Sequence, residues 1–360
     1  MKWLAHFKSK PLDALLIGLV LAIMAKLFGW DPLWVFIFSA AGLIPLAGYI
    51  GEATESLAVF TGPRIGGLLN ATLGNAAELI ITLVAIRAGL LDLVKASITG
   101  SIIGNLLLVL GFAILLGGLK NGMQKFDRRQ AGNNAIMLVM AVLALVIPSM
   151  FSHSIGGETS PQVEALSLGV AGVMIVLYAL GIIYSLKNND SPITYSSQEK
   201  KPHKAGWSLR TSFIVLAAAT LGVVISSEML VGAVEVVVEK VGLSEFFLGI
   251  ILIPVIGNVA EHLVAVQVAM KNQMDLSVEV AVSSSLQIAL FVAPLLVFVS
   301  LAMGNPLTLI FNTFELLALG AAVLTAVLVS LDGESNWLEG AALLAVYLVL
   351  GIAFFLCYHC

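Results

Sequence analysis

The chain has 360 residues, of which 59% are hydrophobic and only 11% are charged, and its formal net charge is -4. A typical soluble domain is about 25% charged, so this composition excludes an ordinary large soluble domain. The apolar residues fall in many runs of roughly 20, the length that spans the hydrocarbon core of a bilayer. The sequence therefore predicts an all-α polytopic membrane protein.

Eleven transmembrane helices are predicted in chain order. The first ten residues are basic and lead into the first apolar run without a convincing cleavage site, so this run is predicted to remain as a membrane helix. Asp31-Pro32 and Asn305-Pro306 supply the turn residues at the two tightest connections. The predicted spans are 12–29, 33–55, 65–86, 93–118, 131–150, 162–186, 210–233, 246–270, 276–303, 307–331 and 337–358.

The distribution of Lys and Arg agrees with this count. With the N-terminus in the cytoplasm, fourteen of the 18 basic residues fall on the cytoplasmic side and four, together with the C-terminus, on the opposite side. This is the positive-inside bias of helical membrane proteins, and one span more or less early in the chain would remove it. The four on the opposite side are Lys26, Arg87, Lys95 and Lys240.

A polar linker divides the chain. Residues 187–209 are rich in Asn, Ser, Gln, Lys and Pro and are predicted to form a cytoplasmic loop. Residues 1–30 then form an N-terminal transmembrane helix, residues 31–186 a first five-helix repeat and residues 210–360 a second. Because five is odd, the second repeat enters the membrane from the opposite side, so the two repeats are predicted to be inverted.

Polar and glycine residues recur at an offset of 183 residues. The run Gly74-Asn75-Ala76-Ala77-Glu78 in the third span reappears as Gly257-Asn258-Val259-Ala260-Glu261 in the eighth. The apolar residues between the matching positions differ, which is expected after an internal duplication because hydrophobic positions drift freely in lipid. The other matching pairs are Glu52 with Glu235, Gly66 with Gly249, Asp92 with Asp275, Ser101 with Ser284 and, after a slip of one residue, Asn105 with Gln287.

The two repeated runs predict a cation site. A carboxylate at membrane depth is costly and indicates function, and the Gly-Asn pair before each glutamate lies on the same helix face. Carboxylate, amide and carbonyl oxygens are the ligands that a hard cation prefers, and the two glutamates could take up protons when a divalent ion leaves. The alternative is a pair of protonated structural glutamates. The predicted ligands are Gly74, Asn75, Glu78, Gly257, Asn258 and Glu261.

Other polar residues are predicted to serve this site. Ser101 and Asn105 are four apart and Ser284 and Gln287 are three apart, so each pair faces one way and is predicted to line the pathway; interhelical hydrogen bonding is the alternative. Candidates for gating lie near the ends of spans 2 and 7 and directly after Glu261. For Glu235 the alternative is a solvated loop, and for His262 the alternative is a buried polar residue with satisfied hydrogen bonds. These candidates are Glu52, Glu228, Glu235 and His262.

The chain resembles the calcium/proton exchanger (Ca²⁺/H⁺ antiporter) family of the cation/calcium exchanger superfamily, prokaryotic type. The resemblance covers essentially the whole chain and implies a secondary active transporter of a prokaryotic cell membrane. It also implies that Glu78 and Glu261 bind Ca²⁺ and H⁺ in alternation. Gly104 stands where the family pattern has Ser, a conservative departure. The runs that carry the resemblance are 74–78, 95–107, 257–262, 270–276 and 283–290.

Several other functions are weaker interpretations. A Na⁺-driven Ca²⁺ exchanger usually carries Ser and Pro in its site motifs, where this chain has Asn75 and Asn258; another divalent cation/H⁺ antiporter and a passive cation channel also stay open. No nucleophile–base pair has motif support, so an enzyme is not predicted. Neither nucleic-acid binding nor an organic cofactor is indicated. The expected partners are membrane lipid and the transported Ca²⁺ and H⁺, and the sequence leaves a homo-oligomer open.

Overall fold

A computed structural model describes residues 11–157, 160–187 and 206–357. In this part of the chain the structure is helical apart from connecting loops and one two-residue ladder. The helices are α1 Ile17–Leu27, α2 Pro32–Leu73, α3 Ala76–Ala88, α4 Leu91–Ile103, α5 Leu110–Asn121, α6 Arg128–Ile155, α7 Pro161–Lys187, α8 Leu209–Val231, α9 Val234–Val241, α10 Glu245–Phe247, α11 Ile253–Met270, α12 Met274–Gln287, α13 Ala293–Met303, α14 Thr313–Ser330 and α15 Trp337–Leu356.

Short segments of other geometry join several of these helices. A 3₁₀ helix, Pro11–Leu16, leads into α1. Three π-helical segments, Gly104–Val109, Leu248–Leu252 and Ile288–Val292, join α4 to α5, α10 to α11 and α12 to α13. Such segments occur often at functional sites because they rotate the following side chains relative to an α-helix.

Nine helical stretches in the described residues are long and apolar enough to cross a membrane. Two of the eleven predicted spans lack a helix of that kind. The span predicted at 12–29 is a short helix that ends at Leu27. The span predicted at 65–86 is interrupted at Gly74 and Asn75, between α2 and α3. The described helices therefore give an all-helical architecture without reproducing the count of eleven.

The α2 helix is bent back on itself. It contains 42 residues, which would extend about 63 Å if straight, twice the hydrocarbon thickness. A Cβ atom placed on Gly66 would lie 2.7 Å from the Cβ atom of Ala58, whereas residues eight apart on a straight helix are separated by about 12 Å. The chain therefore reverses direction between these residues, and both arms of α2 fit within one membrane thickness.

Polar residues between the apolar runs fix where helices begin. The Asp31 carboxylate accepts the backbone N–H of Leu33, and Asp127 accepts those of Arg129 and Gln130. Asn312 and Asn336 form capping boxes at the starts of α14 and α15. These interactions satisfy N–H groups that an isolated helix leaves unpaired.

Two groups of helices pack around the site. In one, α2 packs extensively against α8 and α1; in the other, α5 packs against α11 and α15. Loops of the second group are tied together where β1, Gln124–Lys125, pairs antiparallel with β2, Glu334–Ser335. Because α11 also packs against α2, the two groups meet at α11 and the break before α3, and the predicted cation ligands are found there.

Candidate functional site

The two repeated glutamates lie side by side. Glu78 is in the first turn of α3, directly after the break at Gly74 and Asn75, and is only 3% exposed. A Cβ atom placed on Gly257 would lie 3.5 Å from the Cδ and Oε1 atoms of Glu78. Gly257 is one helical turn before Glu261 on the same face of α11. The Glu78 carboxyl group therefore packs against the turn that carries Glu261.

The glycines of both runs lie where a polar side chain of one half faces the backbone of the other. Gly257 leaves the space beside Glu78 open. Gly74 does the same in the first half, since a Cβ atom placed there would lie 3.4 Å from the Oε1 atom of Gln287. Both predicted Gly-Asn pairs thus lie at the contact between the two halves.

Neutral polar side chains connect the two halves by hydrogen bonds. The Asn75 amide donates to Gln287 Oε1 at 2.8 Å, and the Asn105 amide donates to Ser284 Oγ at 3.1 Å. The Ser284 hydroxyl lies 3.0 Å from Asn75 Oδ1 and 3.3 Å from Glu261 Oε2. A hydroxyl has one proton, so Ser284 donates to only one of these two acceptors at a time.

Asn258 occupies a different environment from Asn75. Its amide donates to the Pro254 carbonyl at 3.2 Å, within its own helix. The Oε1 atom of Glu78 is buried and has no hydrogen-bond partner among the described residues. An ionised carboxylate in that position is costly unless a cation or a proton neutralises it.

A cavity of about 440 Å³ leads to Glu261 from one face of the molecule. It extends from the start of the first helix, at Pro11 and Asp13, past Glu52 and Glu55 to Glu261. Among the described residues, all charged side chains in its lining are acidic. Glu78 lies outside this lining, behind Gly257, so only one of the two glutamates faces the cavity.

The remaining predicted residues are distributed on both sides of the site. Ser284 and Gln287 line the cavity, as does Glu52, whereas Ser101 and Asn105 are buried in the following helix of the first half. Glu228, at the end of α8, forms an exposed ion pair with Arg87 at 3.6 Å. Glu235 is exposed in the first turn of α9, away from the cavity lining. His262 Nε2 is buried without a hydrogen-bond partner among the described residues.

Sequence reasoning did not find the π-helical segments or their effect on register. The first begins at Gly104, before Asn105, whereas the second begins at Ile288, after Gln287. A π-helical turn accommodates an extra residue, so the different starting points explain why Asn105 and Gln287 match only after a slip of one residue. The one-residue slip in the sequence match was the signal that could have revealed these segments.

Comparison with known proteins identifies the family. The family described as "Sodium/calcium exchanger protein" matches residues 32–187 and 211–356. The Ca²⁺/H⁺ antiporter of Aphanothece halophytica is 46% identical, covering 95% of this chain and 96% of its own. The Ca²⁺/H⁺ antiporter ChaA of Bacillus subtilis is 44% identical, covering 94% and 97%. The solved structure of native YfkE superposes with a TM-score of 0.84 at 41% identity, covering 96% of this chain and 99% of that one.

These similarities confirm the resemblance to calcium/proton exchangers and the prediction of an all-α, multi-pass integral membrane protein. The relatives are transporters, which also confirms that the chain is not an enzyme. With both matched ranges together covering most of its length, the chain belongs to the sodium/calcium exchanger protein family.

Proposed function

We propose that this protein is a secondary active transporter that exchanges Ca²⁺ for H⁺ by alternating access, with Glu78 and Glu261 binding Ca²⁺ and H⁺ in alternation. The observation that carries the proposal is the meeting of these two glutamates at the interface of the two halves, where the Glu78 carboxyl group lies against Gly257. The names of the similar proteins from Aphanothece halophytica and Bacillus subtilis support the choice of ions.

Charge explains how the two ions are coupled. Two carboxylates neutralise one divalent cation, and protons neutralise the same carboxylates when the cation leaves. A site with both charges bare is unfavourable in the membrane core, so it re-orients only when loaded with one ion or the other. Glu78 has a buried oxygen without a hydrogen-bond partner in the part of the chain that the structure describes, so it is the group for which the unloaded state is most costly.

The Ca²⁺ ligands are drawn from both halves. The carboxylates of Glu78 and Glu261 supply the charge, and oxygens of the adjacent Gly-Asn pairs complete the set, because Ca²⁺ takes several oxygen ligands at 2.3–2.6 Å. Ser284 and Gln287, with Asn105 behind them, hold Asn75 and Glu261 in place through the hydrogen bonds described above. The neutral ligands that we assign are Gly74, Gly257, Asn75 and Asn258.

The cavity indicates which side has access to the site. It opens at the start of the first helix, and on the basis of the positive-inside bias we assign that end to the cytoplasm of a prokaryotic cell. The structure is therefore assigned to the inward-facing state. Glu52 lies on the access route in this state, whereas Glu228 is paired with Arg87 and Glu235 lies outside the cavity.

We assign the architecture to an N-terminal helix followed by two inverted five-helix repeats, giving eleven spans. The reversal of α2 near Gly66 supports separate second and third spans. Matching contacts support the repeat: the Asn305 amide donates to the Ile86 carbonyl at 2.9 Å, and the Gln124 amide donates to the Ala269 carbonyl at 2.9 Å. Ile86 and Ala269 are 183 residues apart, the offset of the sequence repeat.

Proteoliposomes test this function directly. An imposed pH gradient should drive Ca²⁺ accumulation against its own gradient in the absence of Na⁺. Accumulation that requires Na⁺ would favour the Na⁺-driven exchanger, and Ca²⁺ movement that only dissipates its gradient would favour a passive channel. Either result would overturn the proposal.

A further inference from the structure

Ser283 presents a hydroxyl that has no hydrogen-bond partner among the described residues, although the side chain is only 3% exposed. Some other buried serines bond back to their own helix, and six others among the described residues also lack a partner, but none of those six lines the cavity that leads to Glu261. Ser285 donates to the Ala281 carbonyl at 3.0 Å, and Ser300 donates to the Val297 carbonyl at 2.9 Å. A buried hydroxyl without a partner is unfavourable, and among the described residues Ser283 is the one serine of this kind that lines the cavity, where a ligand can reach it.

The surroundings of Ser283 indicate what that ligand is. Ser283 lines the cavity that leads to Glu261, and the carboxylates of Glu52 and Glu55 line the same cavity. The charged side chains that the described residues contribute to the lining are all acidic, and such a lining attracts cations. A hydroxyl oxygen is a suitable neutral ligand for a hard cation or for a water molecule that the cation carries.

The equivalent position in the other half cannot supply such a hydroxyl. Ser283 corresponds to Gly100 at the offset of 183 residues. A Cβ atom placed on Gly100 would collide with the backbone carbonyl of Ile250. The hydroxyl is therefore present on one side of the site only, the side from which the cavity opens.

We propose that Ser283 is a further cation-binding residue, whose hydroxyl contacts the hydrated divalent cation as it passes from the cavity to Glu261. This inference rests on the proposed function of Glu78 and Glu261. Ser283 adds no charge and takes up no proton, so its contribution is to the affinity for the cation on the cavity side and not to the coupling with H⁺.

The test compares Ser283→Ala with Ser285→Ala in the full-length protein reconstituted in proteoliposomes. Initial rates of pH-driven transport are measured against Ca²⁺ concentration on the cavity side. Ser283→Ala should raise the apparent KM for Ca²⁺ about fivefold, the effect of losing one neutral hydrogen bond, and leave the maximal rate within about twofold. Ser285→Ala, whose hydroxyl bonds only to its own helix, should keep the KM of the unmodified protein.

Two results would overturn the inference. One is an unchanged KM in Ser283→Ala. The other is a fall in maximal rate shared by Ser283→Ala and Ser285→Ala, which would indicate packing. Ser283→Gly also lacks the hydroxyl and should have the same KM as Ser283→Ala. If the glycine variant instead kept the KM of the unmodified protein, loss of the hydroxyl could not be the cause of the change in Ser283→Ala. Glu261→Gln separates the two proposals, because pH-driven transport in that variant would refute the proposed site itself.

Discussion

Gly257→Ala should weaken Ca²⁺ binding without damaging the fold. The added methyl carbon would lie 3.5 Å from Glu78 Oε1, an ordinary van der Waals contact, and alanine is favoured over glycine inside a helix by roughly 0.5–1 kcal/mol. An ion bound to that oxygen on the side facing Gly257, at about 2.4 Å, would overlap the methyl group. We expect at least a tenfold loss of apparent Ca²⁺ affinity, about 1.4 kcal/mol, in proteoliposome transport.

Gly320→Ala is the matched control. Gly320 lies within α14, and a Cβ atom placed there has no heavy atom within 4 Å. It should keep the Ca²⁺ affinity of the unmodified protein. If Gly257→Ala also retained that affinity while remaining monodisperse after purification, the ion would not occupy the space between Gly257 and Glu78, and the geometry proposed for the site would be wrong.

Two further predictions concern the surroundings of the site. Asn105→Ala and Gln287→Ala should weaken apparent Ca²⁺ affinity, but less than loss of either glutamate, because they remove dipoles and not charge. If both variants kept the affinity of the unmodified protein, these residues would have only a packing role. Gly100→Ala should lower the thermal unfolding midpoint of the purified protein, because the new methyl group meets the Ile250 backbone. Gly104→Ala, with open space around its Cβ position, should leave the midpoint unchanged, and equal midpoints for the two variants would contradict the packing described.

The sequence was informative where a residue type is rare in its environment. Glu78 and Glu261 are conspicuous because carboxylates seldom occur within apolar runs, and their repeat at one offset predicted a shared site. Asp31-Pro32 and Asn305-Pro306 marked connections between helices because these residue pairs favour turns. These signals are local, so they can be recognised without knowing the tertiary structure.

Features set by contacts between distant residues were not predictable in the same way. The hydrogen bonds from Asn75 to Gln287 and from Asn105 to Ser284 join residues 212 and 179 positions apart. The break at Gly74 and Asn75 has no counterpart in the second half, where α11 continues through Gly257 and Asn258. Identical residue pairs thus adopt different backbone conformations, because the helices packed around them differ.

The central claim is that Glu78 and Glu261 together carry both ions, and Glu78→Gln and Glu261→Gln test it most directly. Glutamine matches the shape of glutamate but can neither hold a negative charge nor exchange a proton, and one remaining carboxylate leaves a divalent ion only half neutralised in a low-dielectric site. Glu315→Gln is the control, because Glu315 is equally buried but bonds to Asn312 and Thr99 instead.

The measurement is Ca²⁺ accumulation in proteoliposomes driven by a pH difference. Both site variants should be folded and fail to accumulate Ca²⁺, while Glu315→Gln should accumulate it. Accumulation against the Ca²⁺ gradient by either Glu78→Gln or Glu261→Gln would contradict the account and place the exchange site elsewhere in the chain.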